Sequence, residues 1–560
     1  MALRPESWPK AIDELLPNTL FKLAAQYPEL IYSEYPCSSN IVDGYRKITF
    51  REVANAVHAT AWWLEHHVGK PAANDGSETL IYMGPNDLRY AILVLSSVLV
   101  GYKMLFPTPK YGTEAVTRLI SSVNGSVMLV PSETSPVVSE VLLQRPMHTL
   151  DFPAVEYLLT ASTTPYTWTK TFEVSKNEPL VCLHTSGTTG FPKPIIWTHD
   201  WANSVIQGHH LPTPAGYERP ESVSQGSQRR MLNLLPPMHA SGMITALIYP
   251  LGYGSTMIYA PSRTTPNEAI DAAADALDFL GDAGKVDVLG LPPPHAEHLG
   301  KNKPLLDRIS TRVGTILWSG GSISKATGKN IMAKVQTRNP MASTEMSVWP
   351  VVHRLDQRGL RTVDDEFQYS SFHPSLNIRF DPVSSDEQET LYEAVLVKNE
   401  GEKAWVQPLF KIFTDVQKKS LGDLFVQHPH DPEKWKHSGR SDDMLVFSGT
   451  EKFHPGPAER QITAHPDVAE ALIVGTRRPK ASLLLRLNDG ADIEEVEKLV
   501  EEVTKDYQFC SRIKRRMILK VKDPFPKTAK GSIQKKAALS LYEKQLDAMY
   551  ADDGKVSPTM

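Results

Sequence analysis

Ten residues, His184-Thr185-Ser186-Gly187-Thr188-Thr189-Gly190-Phe191-Pro192-Lys193, gather hydroxyls, glycines and one cation into a single stretch. Small residues let backbone N–H groups turn toward an anion, hydroxyls add donors, and Lys193 adds positive charge. Such a loop can hold the phosphates of a nucleotide. It is not a Walker A loop, since no Gly-Lys-Ser/Thr follows four residues after a glycine. A plain Ser/Thr/Gly linker has the same composition, so the rest of the chain has to decide.

Four further segments follow in order: Asn339-Pro340-Met341-Ala342-Ser343-Thr344-Glu345, Leu421-Gly422-Asp423-Leu424-Phe425, Gly439-Arg440-Ser441-Asp442-Asp443 and Pro526-Lys527-Thr528-Ala529-Lys530-Gly531. With the first loop they resemble the signposts of the adenylate-forming superfamily of acyl-CoA ligases, luciferases and peptide-synthetase adenylation domains. The resemblance covers nearly the whole chain. It implies an enzyme that joins a carboxylic acid to ATP, releases pyrophosphate, and passes the acyl-adenylate to a thiol.

The resemblance assigns roles. Thr185, Ser186, Gly187, Thr188, Thr189, Gly190 and Lys193 would hold the β- and γ-phosphates, with His184 a further nucleotide contact. Ser343 and Thr344 would reach the α-phosphate, and Glu345 would hold a magnesium ion, a hard cation that takes oxygen ligands. Asp423 offers two acceptor oxygens to the ribose hydroxyls, and Arg440 is a second ribose or phosphate contact. Asp442 occupies the pivot of a mobile C-terminal domain. Ser319, Gly320 and Gly321 would form a close-packed floor under the adenine and the acyl group. Charge repulsion dominates the barrier to adenylation, so positioning and donors around the phosphorus should supply the catalysis.

Two positions depart from the pattern. Met341 and Ala342 replace the usual aromatic and glycine; methionine can still cover a ring by dispersion. The family's catalytic lysine normally follows the glycine of the last segment, where this chain has Ser532. Lys530 is the nearest replacement, with Lys527 in reserve. Lys-Gly-Ser followed by Gln-Lys is similar to the loop of fungal peptide-synthetase-like carboxylate reductases.

The stretch Leu235-Pro236-Pro237-Met238-His239-Ala240-Ser241-Gly242 stands where amino-acid-activating relatives carry an aspartate for the substrate ammonium, and it has none. An ammonium buried without a carboxylate is costly, so the acid should lack a free α-amine. Pro237, His239, Ser241, Gly242, Leu291, Pro292 and Met346 are the expected pocket, with His239 either shaping it or filling a core position. An aryl acid fits such a wall. A quaternary ammonium acid would need an aromatic cage, for which Trp318 and Trp349 stand close to the motifs.

The elements that must position these groups alternate along the first 320 residues. Helical patterns at 19–26, 91–100 and 267–280 interleave with apolar runs at 79–83, 126–131, 179–183, 231–235, 255–259, 286–291 and 315–318. That rhythm predicts a layered α/β fold with parallel pairing. Past Gly439, strands at 468–475 and 483–487, an acidic helix at 493–506, a basic stretch at 512–536 and a last helix at 541–550 read as a second unit. The expected organisation is a large N-terminal α/β adenylation core over 1–441, a small mobile α+β C-terminal subdomain over 442–550, and a tail or linker over 551–560.

A chain of 560 residues with 41% hydrophobic and 22% charged residues and a net charge of -4 gives no whole-chain argument for nucleic acid. Three distant cysteines exclude a disulfide framework and a zinc site, and fit the reducing cytoplasm. The apolar run at 90–100 is about half of the ~20 residues a membrane span requires. No dinucleotide fingerprint is present, so any reduction by NADPH belongs elsewhere. The acceptor thiol is either phosphopantetheine on a carrier domain outside this chain or coenzyme A. The competing possibility, from Met341, Ala342 and Ser532, is a nucleotide-binding module without turnover.

Overall fold

Apolar runs of four to eight residues become the inner strands of parallel sheets, because strands covered on both faces need no polar alternation. The computed structural model describes residues 8, 11–73, 75–133, 135–186, 191–219, 229–263, 265–281, 285–355, 367–385, 390–448, 452–507, 509–527 and 533–556. Among them, one sheet runs His148–Asp151, Val127–Val130, Thr79–Tyr82, Lys103–Leu105, Pro179–Ser186 and Pro192–Thr198. Its neighbours are parallel except the last pair. A second runs Gln336–Arg338, Val313–Trp318, Val286–Leu291, Arg230–Asn233, Thr256–Ile258, Ile31–Pro36 and Tyr45–Thr49. It too is parallel up to an antiparallel edge.

One hydrophobic core joins these sheets, drawing Leu80, Met104 and Leu183 from the first and Ile48, Met231 and Met257 from the second. The helix Arg89–Val100 fills its middle, with every residue buried. Each large apolar side chain so placed contributes roughly 1.5–3 kcal/mol of burial. Asp87 starts the helix by accepting from the Arg89 amide at 2.9 Å and pairing with its guanidinium at 2.6 Å, a buried ion pair. Gly101, at φ 106°, ends it in the left-handed conformation that glycine adopts freely. The apolar run at 90–100 is therefore a core helix, and no described helix is long and apolar enough to cross a membrane.

A third sheet was not legible in advance. Ile378–Ser385, Thr390–Val397, Lys418–His428, Asp431–Arg440, Tyr369–Phe372, Val351–Arg354 and Tyr217–Glu218 form it with antiparallel pairing. Its strands are half-buried and rich in charge, and they cover a cluster built on Trp349, Phe410 and Phe425.

Beyond Arg440 the chain has its own core, built on Phe447, Phe453, Ile473, Leu483, Val500 and Met517. A three-stranded sheet, Val468–Val474, Ser482–Leu487 and Ile518–Lys520, is packed by the helices Gly456–Thr463 and Ile493–Thr504. Asp492 caps the second helix by accepting from the amides of Glu494 and Glu495. The last helix spans Lys535–Val556, longer at both ends than the apolar pattern predicts.

Candidate active site

The phosphate-type loop sits on a β-hairpin rather than between a strand and a helix. Pro179–Ser186 pairs antiparallel with Pro192–Thr198, with Thr185 opposite Lys193 and Ser186 opposite Pro192. Gly187, Thr188, Thr189 and Gly190 lie outside the described residues. His184 is buried, its ring 5.2 Å from Tyr111 and 6.0 Å from His239. Lys193 is exposed.

The second hairpin strand leads into the helix His199–His209, and this junction carries the positioning device that motif reading missed. Trp197 Nε1 donates to the carbonyl of Thr344 at 2.8 Å, and Trp201 Nε1 donates to the carbonyl of Glu345 at 2.9 Å. The two indoles stack with centroids 3.8 Å apart and planes 13° from parallel, both fully buried. The pair ties the phosphate hairpin to Ser343-Thr344-Glu345. Two tryptophans four residues apart, straight after a nucleotide loop, were the available signal. Residues 343–347 make a tight reversal in which Ala342–Ser343 pairs with Ser347–Val348 and Ser343 Oγ accepts from the Met346 amide at 3.1 Å. The Glu345 carboxylate has no hydrogen bond or ion pair among the described residues.

Asp423 and Arg440 are cross-strand partners. The buried Asp423 carboxylate meets His437 Nε2 at 3.2 Å and Arg440 Nη1 at 3.8 Å, while Arg440 Nε donates to Asp442 at 3.0 Å. Burial works against the Arg440 charge, but the carboxylates of Asp423 and Asp442 outweigh it and raise its pKa. Asp442 lies in a 3-10 turn, Ser441–Asp443, whose Asp443 pairs with Lys535 at 3.2 Å. Just before the turn, Gly439 packs on His454: a Cβ at 439 would fall under 3.0 Å from the imidazole, and φ is 152°.

In the last segment, Lys527 is committed elsewhere. Its Nζ lies 2.7 Å from the buried Glu470, which also pairs with Arg486. Lys527 bridges to Ile533 across the loop base, and Gln534 donates to the Lys527 carbonyl. Thr528, Ala529, Lys530, Gly531 and Ser532 lie outside the described residues.

A cavity of about 680 Å³ lies between the hairpin, the 343–347 reversal and the second sheet. His184, Gly320, Ser343 and Thr344 line it, as do Pro237, His239, Ser241, Gly242 and Pro292. Gly242 is demanded there by close approach, since a Cβ would overlap the Pro236 carbonyl. Leu291, Met346, Trp318 and Trp349 do not line it. Strand alternation explains this: Val288, Leu317 and Val348 face the cavity, so Leu291, Trp318 and Trp349 point the opposite way into cores. Met341 and Met346 belong to the cluster under the third sheet. An aromatic cage from the two tryptophans is excluded. Gly320 and Gly321 are exposed rather than close-packed; a Cβ at 320 would meet nothing within 4 Å, and the glycine is required by φ 99°.

The charge of this lining decides what it accepts. Among the described residues no Asp or Glu lines the cavity, whereas Lys110, Arg229, Arg263 and Arg338 do, with five histidines. Half-buried His295, beside Lys110, is held neutral, its pKa lowered to about 4 by desolvation first and neighbouring charge second.

Comparison with known families places the chain. The model of AMP-binding enzymes matches residues 22–368. The chain belongs to the AMP-binding enzymes. The C-terminal domain of such enzymes matches residues 442–554. This AMP-binding enzyme is 30% identical, over 96% of its length, to an isocyanide synthase-NRPS hybrid of Aspergillus fumigatus, of which it covers 33%. It is 28% identical over 97% of its length to a carboxylic acid reductase of Neurospora crassa, covering 51% of it. It is 25% identical over 94% to an adenylate-forming reductase of Serpula lacrymans, covering 49%. The chain thus spans between a third and about half of these relatives.

Solved structures agree on the fold. An O-succinylbenzoate coenzyme A synthetase of Bacillus subtilis with AMP superposes with a TM-score of 0.65 at 18% identity, over 93% of this chain and 97% of that one. ATP-bound MatB of Rhodopseudomonas palustris gives 0.66 at 16%, over 95% and 99%. The AMP-binding enzyme has a large N-terminal and a smaller C-terminal domain.

Proposed function

We propose that the chain adenylates a carboxylic acid lacking a free α-amine, an aryl acid by preference, and passes the acyl group to a phosphopantetheine thiol as the adenylation part of a carboxylate reductase. The observation that carries this reading is the cavity, where the phosphate hairpin and the Thr344 reversal meet a lining with cations and histidines and, among the described residues, no carboxylate. An ammonium substrate finds no counter-ion there; a carboxylate does.

In this reading a carboxylate oxygen attacks the α-phosphorus of ATP and the bond to pyrophosphate breaks. Residues 185–190 with Lys193 hold the β- and γ-phosphates, Thr344 donates to the α-phosphate, and Asp423 with Arg440 holds the ribose. Magnesium supplies charge neutralisation on the phosphates when bound. Glu345 would hold it, since an unpartnered carboxylate suits a cation that keeps its other positions for phosphate oxygens and water. Lys530 would act on the reacting phosphate from the 442–550 subdomain, with Asp442 as its pivot. Trapping the acyl-adenylate with hydroxylamine, then offering coenzyme A and a phosphopantetheinylated carrier, tests both halves. Hydroxamate with aryl acids and transfer to the carrier support the proposal; transfer to coenzyme A alone makes the chain a ligase instead.

A further inference from the structure

Period-2 alternation puts Arg229, Met231 and Asn233 on one face of the strand Arg230–Asn233 and its approach, and Ser255, Met257 and Tyr259 on the same face of Thr256–Ile258. All six line the cavity. The sheet face is thus a floor running from Asn233, beside the 235–242 segment, to Arg229 at the other end. Four residues of strand span roughly 13 Å. His209, at the end of the helix His199–His209, also lines the cavity.

The arginines at the far end are treated oppositely. Arg230 points to the other face and forms a two-pronged pair with buried Glu34, Nε to Oε1 at 2.7 Å and Nη2 to Oε2 at 2.8 Å. Half-buried Arg229 lines the cavity, and its guanidinium has no hydrogen bond or ion pair among the described residues. A guanidinium against apolar walls binds a carboxylate bidentately and gains more there than in water.

We propose that Arg229 receives a second, distal carboxylate, so that the acid activated here is a diacid whose two carboxyl groups lie roughly 10 Å apart. This rests on the adenylation reading above. Met231, Met257 and Val288 form the apolar middle that the linking chain or ring crosses.

The test is pyrophosphate exchange with matched pairs: azelaic acid against its monomethyl ester and against nonanoic acid, and 4-carboxycinnamic against cinnamic acid. The intact chain should favour each diacid by tenfold or more in kcat/KM. In Arg229→Leu that ratio should fall toward one, chiefly through KM for the diacid, with Arg229→Lys retaining part of it; thermal melting checks that the variants fold. Exchange with monoacids and no diacid preference overturns the distal site while leaving adenylation standing, as does a ratio that survives Arg229→Leu. Absence of exchange with every acid overturns adenylation and the distal site together.

Discussion

The indole Nε1 of Trp197 donates to the backbone carbonyl of Thr344 at 2.8 Å across 147 residues of chain, so the second strand of the hairpin is tied to the residue proposed to reach the α-phosphate. Trp197→Phe keeps the stacking on Trp201 but leaves that carbonyl unsatisfied, at a cost of about 1–2 kcal/mol. Exchange activity should fall about tenfold through a higher KM for ATP, because a small displacement of a positioned donor is expensive in rate. Loss of melting temperature with unaltered exchange would make the clamp purely structural.

Gly439 and His454 interlock where the two domains meet. Gly439→Ala introduces a Cβ into the imidazole at a φ of 152°, and should lower stability by roughly 1–3 kcal/mol. The double variant Gly439→Ala/His454→Ala should recover part of that loss by removing the overlap, leaving only the backbone term. Additive losses in thermal melts would show that the contact is not what the glycine serves.

Acid should loosen the molecule through its sheltered imidazoles. His199 is pushed down to about 3, and His295 and His454 to about 4, in each case chiefly by burial. Their folded-state pKa values lie below the unfolded 6.5, so these imidazoles stay neutral in the folded chain while the unfolded chain takes up protons. Stability is complete above about pH 7 and drains as pH falls from 6.5 toward 4, by about 2 kcal/mol per imidazole at pH 5. Melting temperature measured from pH 7.5 to 5 should fall steadily, and His199→Gln should flatten the slope. A flat profile would contradict the lowered pKa of all three.

Lys527 and Lys530 should separate cleanly. Lys527 Nζ is held by Glu470, so Lys527→Met should cost stability by leaving that buried carboxylate with Arg486 alone, and reduce exchange only modestly. Lys530→Ala should reduce exchange by about 100-fold or more with little change in melting, if it has the proposed role at the reacting phosphate. The reverse pattern would exchange the two roles.

The parallel strands were readable because continuous apolar runs have few alternatives, and Val286–Leu291 matches its expected bounds to the residue. The third sheet was not, since strands such as Asp431–Arg440, half-exposed and carrying Lys434, Lys436 and His437, lack the apolar signal. Motifs gave the order of the site residues but not their facing. Leu291 and Trp318 lie beside cavity residues in the chain and point away from it in space, because one step along a strand reverses the side chain. The absence of carboxylates around the cavity could not be read from the sequence either, because its lining is assembled from residues as distant as Lys110 and Ser370.

The most direct measurement is exchange of labelled pyrophosphate into ATP by the purified chain with magnesium, across aryl, aliphatic, betaine-type and α-amino acids. Exchange with acids that lack an ammonium, and none with amino acids or betaines, is the predicted result. Exchange confined to α-amino acids would contradict the carboxylate-free cavity, and silence across the panel with ATP binding intact would leave a nucleotide-binding module in place of an enzyme.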